Sequence, residues 1–148
     1  MVTMNYSLEL DCDERNFFKI LTDYENLSNY LPRKLKKIEI VDVHDNYTTI
    51  KATIFLRTII KKEFSQKIRI EKKSDNNLSV DILDGITKDT HITISILTQK
   101  EKTICHVNSD VKLSLKTIIL YPIIKKEYNS FLLGVFRKMS IDAKQSQE

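Results

Sequence analysis

Glycine is nearly absent from the chain: only Gly85 and Gly134 occur among 148 residues. The phosphate-binding loops of nucleotide-binding proteins need several closely spaced glycines, because backbone amides must approach the phosphates without intervening side chains. The scarcity of glycine therefore excludes a Walker or Rossmann nucleotide site. It also argues against an enzyme that depends on glycine hinges.

Cysteine and long apolar runs are scarce as well. Cys12 and Cys105 are the only cysteines, without a C-x-x-C or metal-ligand spacing, so reduced structural thiols are expected. The longest apolar run, 118–124, is too short to cross a bilayer and is interrupted by Pro122. Acidic residues follow the N-terminus too closely for the apolar core of a secretion signal. These features predict a cytoplasmic protein without a membrane span.

The composition is typical of one globular domain. Hydrophobic residues make up 41% of the chain and charged residues 30%, which is enough apolar material for a sizeable core. We therefore expect residues 1–148 to form a single domain. The net charge is +4, and the lysines are spread along the chain. This pattern favours a solvated lysine-rich surface, and no specific DNA binding is expected.

Seven segments alternate apolar with polar residues, which is the period of β-strands. Short polar turns such as Asp45-Asn46 and Ser74–Asn77 join them and leave no room for crossovers, so antiparallel pairing is expected. In the second strand the apolar positions change register at Val41, which predicts a β-bulge or a strand buried on both faces. The first apolar positions of the seven segments are Tyr6, Ile38, Ile50, Phe64, Leu78, Ile92 and Cys105.

Two short helices are predicted between the first and second strands. Asp11 or Asp13 can cap the first helix, which carries Phe17 among its apolar positions. A second short helix follows and ends at Pro32, since the residue before a proline is pushed out of the helical region.

The end of the chain has the period of a long amphipathic helix. Pro122 is compatible with its first turn. One helix cannot fill the concave side of a seven-stranded sheet, so an internal cavity between helix and sheet is predicted. The apolar positions recur at intervals of three and four residues at Tyr121, Ile124, Tyr128, Phe131, Leu132, Val135 and Met139.

The stretch 17–41, FFKILTDYENLSNYLPRKLKKIEIV, carries a resemblance to a known family. Its features are Phe17-Phe18 in the first helix, the run Asp23–Leu27, and Tyr30-Leu31-Pro32 leading into the second strand. With these features and the C-terminal helix, the chain resembles the START/polyketide-cyclase (SRPBCC) superfamily, nearest the coenzyme Q-binding and polyketide cyclase/dehydrase-like subgroup. The resemblance implies an α+β helix-grip fold. In that fold a curved seven-stranded antiparallel sheet wraps on a long C-terminal helix, and two short helices lie between strands one and two.

The same resemblance implies an apolar cavity for a lipid, quinone or polyketide-like molecule. We expect no cofactor and no metal. Gln66, Ser109, Tyr121 and Tyr128 are polar groups on inward-facing positions. They are expected either to orient a ligand headgroup or to satisfy one another in an ordinary core. The expected ligand-contacting residues are Leu27, Tyr30, Leu31, Ile54, Gln66, Ile68, Val80, Ile94, Val107, Ser109, Ile124, Tyr128, Leu132, Val135 and Met139.

Histidine and cysteine pairs give two further expectations. If strands six and seven pair so that Ile96 faces Cys105, His91 lies opposite Asp110 as a surface pair without a third metal ligand. In the resembling fold the first and last strands pair antiparallel, which brings Cys12 near Cys105. Two reduced thiols and a disulfide both remain compatible with that proximity, and the reduced form is favoured.

Three functions remain open. The first is non-catalytic binding or transport of a small hydrophobic molecule. The second is a ribosome- or RNA-associated module, or transient contact with an anionic membrane, through the basic segments Arg33–Lys37 and Lys61-Lys62. The third is an aromatase/cyclase-type enzyme. That function is less favoured, because it needs a pocket acid or base and the pattern shows no inward His, Asp or Glu.

Overall fold

A computed structural model describes residues 2–30, 35–56, 62–85, 87–113, 118 and 121–145. At 35–36, 54–56, 62–64, 123–124 and 127–128 it describes the backbone alone. The elements are β1 (Val2–Leu10), α1 (Glu14–Leu21), a 3-10 helix (Tyr24–Tyr30), β2 (Leu35–Val43), β3 (Tyr47–Leu56), β4 (Lys62–Ser74), β5 (Asn77–Ile82), β6 (His91–Gln99), β7 (Lys102–Val111) and α2 (Tyr121–Gln145).

The strands form one seven-stranded antiparallel sheet in the order β1-β7-β6-β5-β4-β3-β2. This arrangement and the long α2 confirm the predicted α+β helix-grip fold. One detail differs from the sequence prediction, because the second short helix is a 3-10 helix.

The helix α1 begins where the sequence predicts a cap. The carboxylate of Asp13 accepts a hydrogen bond from the backbone amide of Asn16 at 3.3 Å, which satisfies one of the unpaired amides of the first turn. Phe17, Phe18 and Leu21 then recur at helical spacing and are buried. The cap and the apolar spacing together direct this face of α1 into the core.

The edge strand β2 contains the predicted bulge. Its pairing with β3 shifts register between Ile40 and Asp42, so Val41 is the extra residue. A second shift lies between Leu35 and Lys37. The change of apolar register at Val41 is therefore explained by a bulge and not by burial on both faces, since Val41 is exposed.

The core lies between the concave face of the sheet, α1 and the C-terminal half of α2. The rings of Phe17 and Phe136 meet edge to face, with centroids 5.9 Å apart and planes at 73°, a favoured aromatic geometry. Beyond these rings, α2 buries four residues at helical spacing. They are Leu132, Val135, Met139 and Ala143.

None of the helices in the described parts of the chain is both long and apolar enough to cross a membrane. The longest, α2, carries exposed lysines along its length, including Lys125, Lys126 and Lys138.

We expect Phe17→Ala to lower the free energy of unfolding by about 3–5 kcal/mol, because a fully buried ring that contacts Phe136 would leave a cavity. Urea denaturation followed by circular dichroism measures the change. The control is Ile141→Ala on α2, where the side chain is 57% exposed and an effect within about 0.5 kcal/mol is expected. Equal losses in both variants would contradict this description of the core.

Candidate functional site

The concave face of the sheet is buried to different degrees along its strands. On β6, Ile96 is fully buried, whereas Ile94 and Ile92 on the same face are only half-buried. On the neighbouring strands Ile82 and Ile68 lie opposite each other in the β4–β5 pairing and are also half-buried. One end of the concave face therefore keeps four isoleucines partly accessible.

The described side chains of α2 differ in burial along the helix. Its C-terminal half supplies the buried residues of the core, including Leu132 and Met139. In its N-terminal half, the side chains that the structure describes are half-buried at Tyr121 and exposed at Pro122 and Lys125. Among the described side chains of α2, those that pack in the core lie in its C-terminal half. The half-buried isoleucines of the sheet lie outside the tightest packing of the concave face.

Gln66 is a buried polar side chain on the concave face, next to Ile68 on β4. Its amide nitrogen donates a hydrogen bond to the hydroxyl of Thr87 at 2.7 Å. Gly85 lies against it in a left-handed conformation, φ 87°, and a Cβ at that position would stand 2.6 Å from the Gln66 side chain. Only glycine meets both the conformation and the space at position 85, so Gly85 and Thr87 together hold Gln66 in place.

Ser109 is the second predicted polar residue of the face, and it is fully buried. In the sheet register it stands between Met4 of β1 and Ile92 of β6. Gln66 and Ser109 thus lie on different strands, each beside one of the half-buried isoleucines.

Five other predicted ligand residues belong to the main core: Val80, Val107, Leu132, Val135 and Met139. Leu27 packs against this core from the 3-10 helix, and Ile68 and Ile94 pack against it from the sheet. Their contact with a ligand stays a prediction. Leu31 lies outside the described residues, as do the side chains of Ile54, Ile124 and Tyr128.

Tyr30 joins the 3-10 helix to the C-terminal end of α2. Its hydroxyl donates a hydrogen bond to the carboxylate of Asp142 at 2.7 Å. Burial, and then the hydrogen bond to Asp142, raise the pKa of Tyr30 from 10.0 to about 12. The sequence predicted this residue as a ligand contact but contained no signal for a partner 112 positions away.

The two cysteines lie where the pairing of the first and last strands was expected to put them. Cys105 stands opposite Leu8 on β1, and Cys12 follows the end of that strand. No disulfide joins them. Burial is the main cause that raises the pKa of Cys105 to about 12 and that of Cys12 to about 11. Both thiols are therefore protonated near neutral pH, as reduced structural cysteines are.

His91 lies opposite Asp110, as predicted from the register in which Ile96 faces Cys105. The two side chains have hydrogen-bond partners on other strands, however. The imidazole of His91 forms a hydrogen bond with Asp81 on β5 at 2.7 Å. The carboxylate of Asp110 accepts a hydrogen bond from the hydroxyl of Thr3 at 3.0 Å. Within the described ranges no group of three or more His, Cys, Asp or Glu residues is arranged to hold a metal ion.

An open groove of about 770 Å³ lies near the end of β1, away from the half-buried isoleucines. Its walls carry several charges, including the ion pairs Lys144–Asp11 at 2.6 Å and Lys102–Glu9 at 2.8 Å. Sequence reasoning missed it, because the residues come from both ends of the chain and from the β6–β7 turn. The charged walls do not suit an apolar ligand.

The basic segments predicted to meet an anionic partner cannot be placed as one surface. Arg33, Lys34 and Lys61 lie outside the described residues, as do the side chains of Lys36 and Lys62. Lys37 is described, and its ammonium pairs with Glu39 of the same strand at 2.6 Å.

No protein-family model matches the sequence, and a search of curated proteins finds no match. Solved structures do resemble it. A protein from Thermus thermophilus aligns with a TM-score of 0.79 at 16% identity, over 96% of this chain and 99% of that one. A START superfamily protein from Mycobacterium smegmatis aligns with a TM-score of 0.74 at 14% identity, over 97% of each chain.

An enzyme has the same architecture. The Zhui aromatase/cyclase from Streptomyces sp. R1128 aligns with a TM-score of 0.72 at 9% identity, over 93% of each chain. Identities this low establish a shared fold and leave the activity open. The structural neighbours thus confirm the fold predicted from the resemblance to START and polyketide-cyclase proteins.

We expect Tyr30 to ionise above the other tyrosines, because loss of its proton would break the bond to Asp142. The stabilisation from this proton is complete below pH 10 and is lost as the pH rises through about 12. An ultraviolet titration of phenolate absorbance, compared with Tyr30→Phe, isolates this group. Near neutral pH that variant should lose up to about 1 kcal/mol of stability. A difference spectrum centred at pH 10 would contradict the bond.

Cys105 should not react with a thiol reagent in the native protein, and Cys12 should react slowly, because the reactive species is the thiolate and both pKa values are raised. Both should react readily after denaturation. Mass spectrometry of the labelled protein, with Cys12→Ser and Cys105→Ser as matched variants, assigns each rate. Rapid native labelling of Cys105 would show that its burial is wrong.

Proposed function

We propose that this protein binds a small hydrophobic molecule of the lipid, quinone or polyketide-like kind, between the concave face of the sheet and the N-terminal half of α2. The observation that carries the proposal is the accessibility of Ile68, Ile82, Ile92 and Ile94 on the concave face, which elsewhere supplies core residues such as Ile96. Non-catalytic binding or transport is the function that these residues support best.

Half-buried isoleucines on a concave surface favour an apolar occupant. Removing apolar surface from water stabilises a complex by about 25 cal/mol per Å², and each of these side chains still has surface to lose. The fully buried Ile96 and the core half of α2 would close one end of the space. The ligand would then lie along β4, β5 and β6, beyond the tight core.

Gln66 and Ser109 would supply the polar contacts. Gln66 is held by the hydroxyl of Thr87 through its amide nitrogen, so its carbonyl oxygen is the part of the side chain that would receive a ligand donor. A few fixed polar groups in an apolar lining are typical of sites for small molecules, where they set orientation and specificity. A hydroxyl or carbonyl at one end of an otherwise apolar ligand would suit this pair.

A cyclase remains the alternative, because one neighbour is an aromatase/cyclase by name. Cyclase chemistry needs a group that gives or takes a proton beside the ligand. On the described concave face, the buried polar side chains beside the half-buried isoleucines include the amide of Gln66 and the hydroxyl of Ser109. Since these groups bind and orient more readily than they exchange protons, we favour binding over catalysis.

Titration with the apolar fluorophore phenylnaphthylamine tests the proposal. The wild-type protein should enhance its fluorescence saturably, and Ile94→Trp should weaken the affinity by about tenfold or more by filling the space. The matched control is Leu97→Trp, on the opposite face of the same strand, which should bind like the wild type. Thermal unfolding of both variants checks that each is folded.

Native mass spectrometry and solvent extraction of the purified protein would then identify a bound molecule. Absence of saturable fluorophore binding to the wild type would refute an apolar site. Equal affinity of the Ile94→Trp variant and the wild type would place the bound fluorophore elsewhere and refute this location.

A further inference from the structure

Among the described residues, the outer edge of β2 pairs with no other strand, and it carries exposed apolar side chains. In the described sheet β2 is the last strand and pairs only with β3. Ile40 is 39% exposed, Val41 51% and Val43 68%. An edge strand with exposed β-branched residues presents unpaired backbone amides and carbonyls beside an apolar strip, which is a template for another strand.

The charges of β2 are separated along its length. Lys37 lies towards its beginning, and Glu39 and Asp42 lie further along, all of them exposed. In an antiparallel pair of two such strands, the basic end of each meets the acidic end of the other. A parallel pair would bring like charges together. The strand is thus complementary to a second copy of itself in one orientation.

We propose that β2 pairs antiparallel with β2 of a second copy of this chain, which joins the two sheets edge to edge in a symmetric dimer. The pairing would cover Ile40, Val41 and Val43 and set Lys37 of each copy near Asp42 of the other. Because both copies use the same edge, the contact closes as a twofold dimer. Pairing of β2 with the opposite edge, β1, would instead propagate into a fibre.

The bulge at Val41 limits this contact. Bulges and lysines are features that weaken edge-to-edge pairing, and the register shift between Ile40 and Asp42 interrupts a regular ladder. The added ladder is therefore short, burial of the apolar side chains contributes much of the affinity, and the crossed charges set the orientation. We expect a reversible dimer whose population rises with protein concentration.

Sedimentation equilibrium over a range of concentrations tests the dimer. Val43→Lys should raise the dimer dissociation constant by about tenfold or more, because it adds charge to the apolar strip. Ile141→Lys is the matched control, since that side chain is 57% exposed on α2, and it should leave association unchanged. A monomer at every concentration, or a dimer insensitive to Val43→Lys, would overturn the proposal.

A charge exchange tests the orientation. Lys37→Glu should weaken the dimer, and the double variant Lys37→Glu/Asp42→Lys should restore it, because the two ends of the strand exchange their charges. Lys37 and Glu39 form an exposed pair within one strand, which contributes little to folding, and circular dichroism would confirm native structure in each variant. Failure of the double variant to recover association would exclude the antiparallel contact.

Discussion

The C-terminal half of α2 is held in the curve of the sheet by Phe136 and Met139, and the positions of the neighbouring elements follow from that contact. Phe136 meets Phe17 of α1 edge to face, so the helix before β2 is fixed by the same packing. The hydrogen bond from Tyr30 to Asp142 attaches the 3-10 helix to the C-terminal end of α2. Three helical segments and the sheet therefore share one packed end.

The candidate site lies outside this packed end, where the side chains of the same strands are less buried. The same strands that bury Ile96 and Leu78 carry half-buried isoleucines further along. Interiors are normally packed as densely as organic crystals, so accessible aliphatic side chains on a core face favour an occupant. Gln66, fixed by Thr87 and by the close approach of Gly85, would present a polar group to that occupant without rearrangement.

The facing of residues along most strands could be predicted from the sequence, because a period of two separates one apolar face from the other face. The pairing of the first and last strands followed from the family resemblance. Ile92, Ile94 and Ile96 were correctly placed on one face, and His91 was correctly placed opposite Asp110. The burial of the isoleucines and the hydrogen-bond partner of His91 could not be predicted. How deeply each isoleucine is buried depends on where α2 crosses the sheet, which is a tertiary property. His91 lies on a central strand, opposite Asp81 on one side and Asp110 on the other. The sequence alone does not indicate which of the two carboxylates it bonds to.

In the candidate site, too, the positions of residues could be predicted but their surroundings could not. Met139 was predicted from helical spacing and is fully buried in the core, but spacing alone does not separate a core residue from a cavity residue. Tyr30 was selected by the family resemblance, and its bond to Asp142 spans 112 positions. The change of register in β2 predicted either a bulge or burial on both faces, and the structure shows the bulge. The exposure of its apolar residues follows from the strand's place at the end of the described sheet.

Isoleucine-methyl NMR of the protein with a bound apolar ligand tests most directly whether the ligand site lies between the sheet and α2. Nuclear Overhauser contacts from the ligand should reach the methyl groups of Ile68, Ile92 and Ile94, which lie half-buried on the concave face. They should not reach Ile104, which lies on the opposite face of β7. Contacts to Ile104, or none to the concave isoleucines, would contradict a ligand site between the sheet and α2.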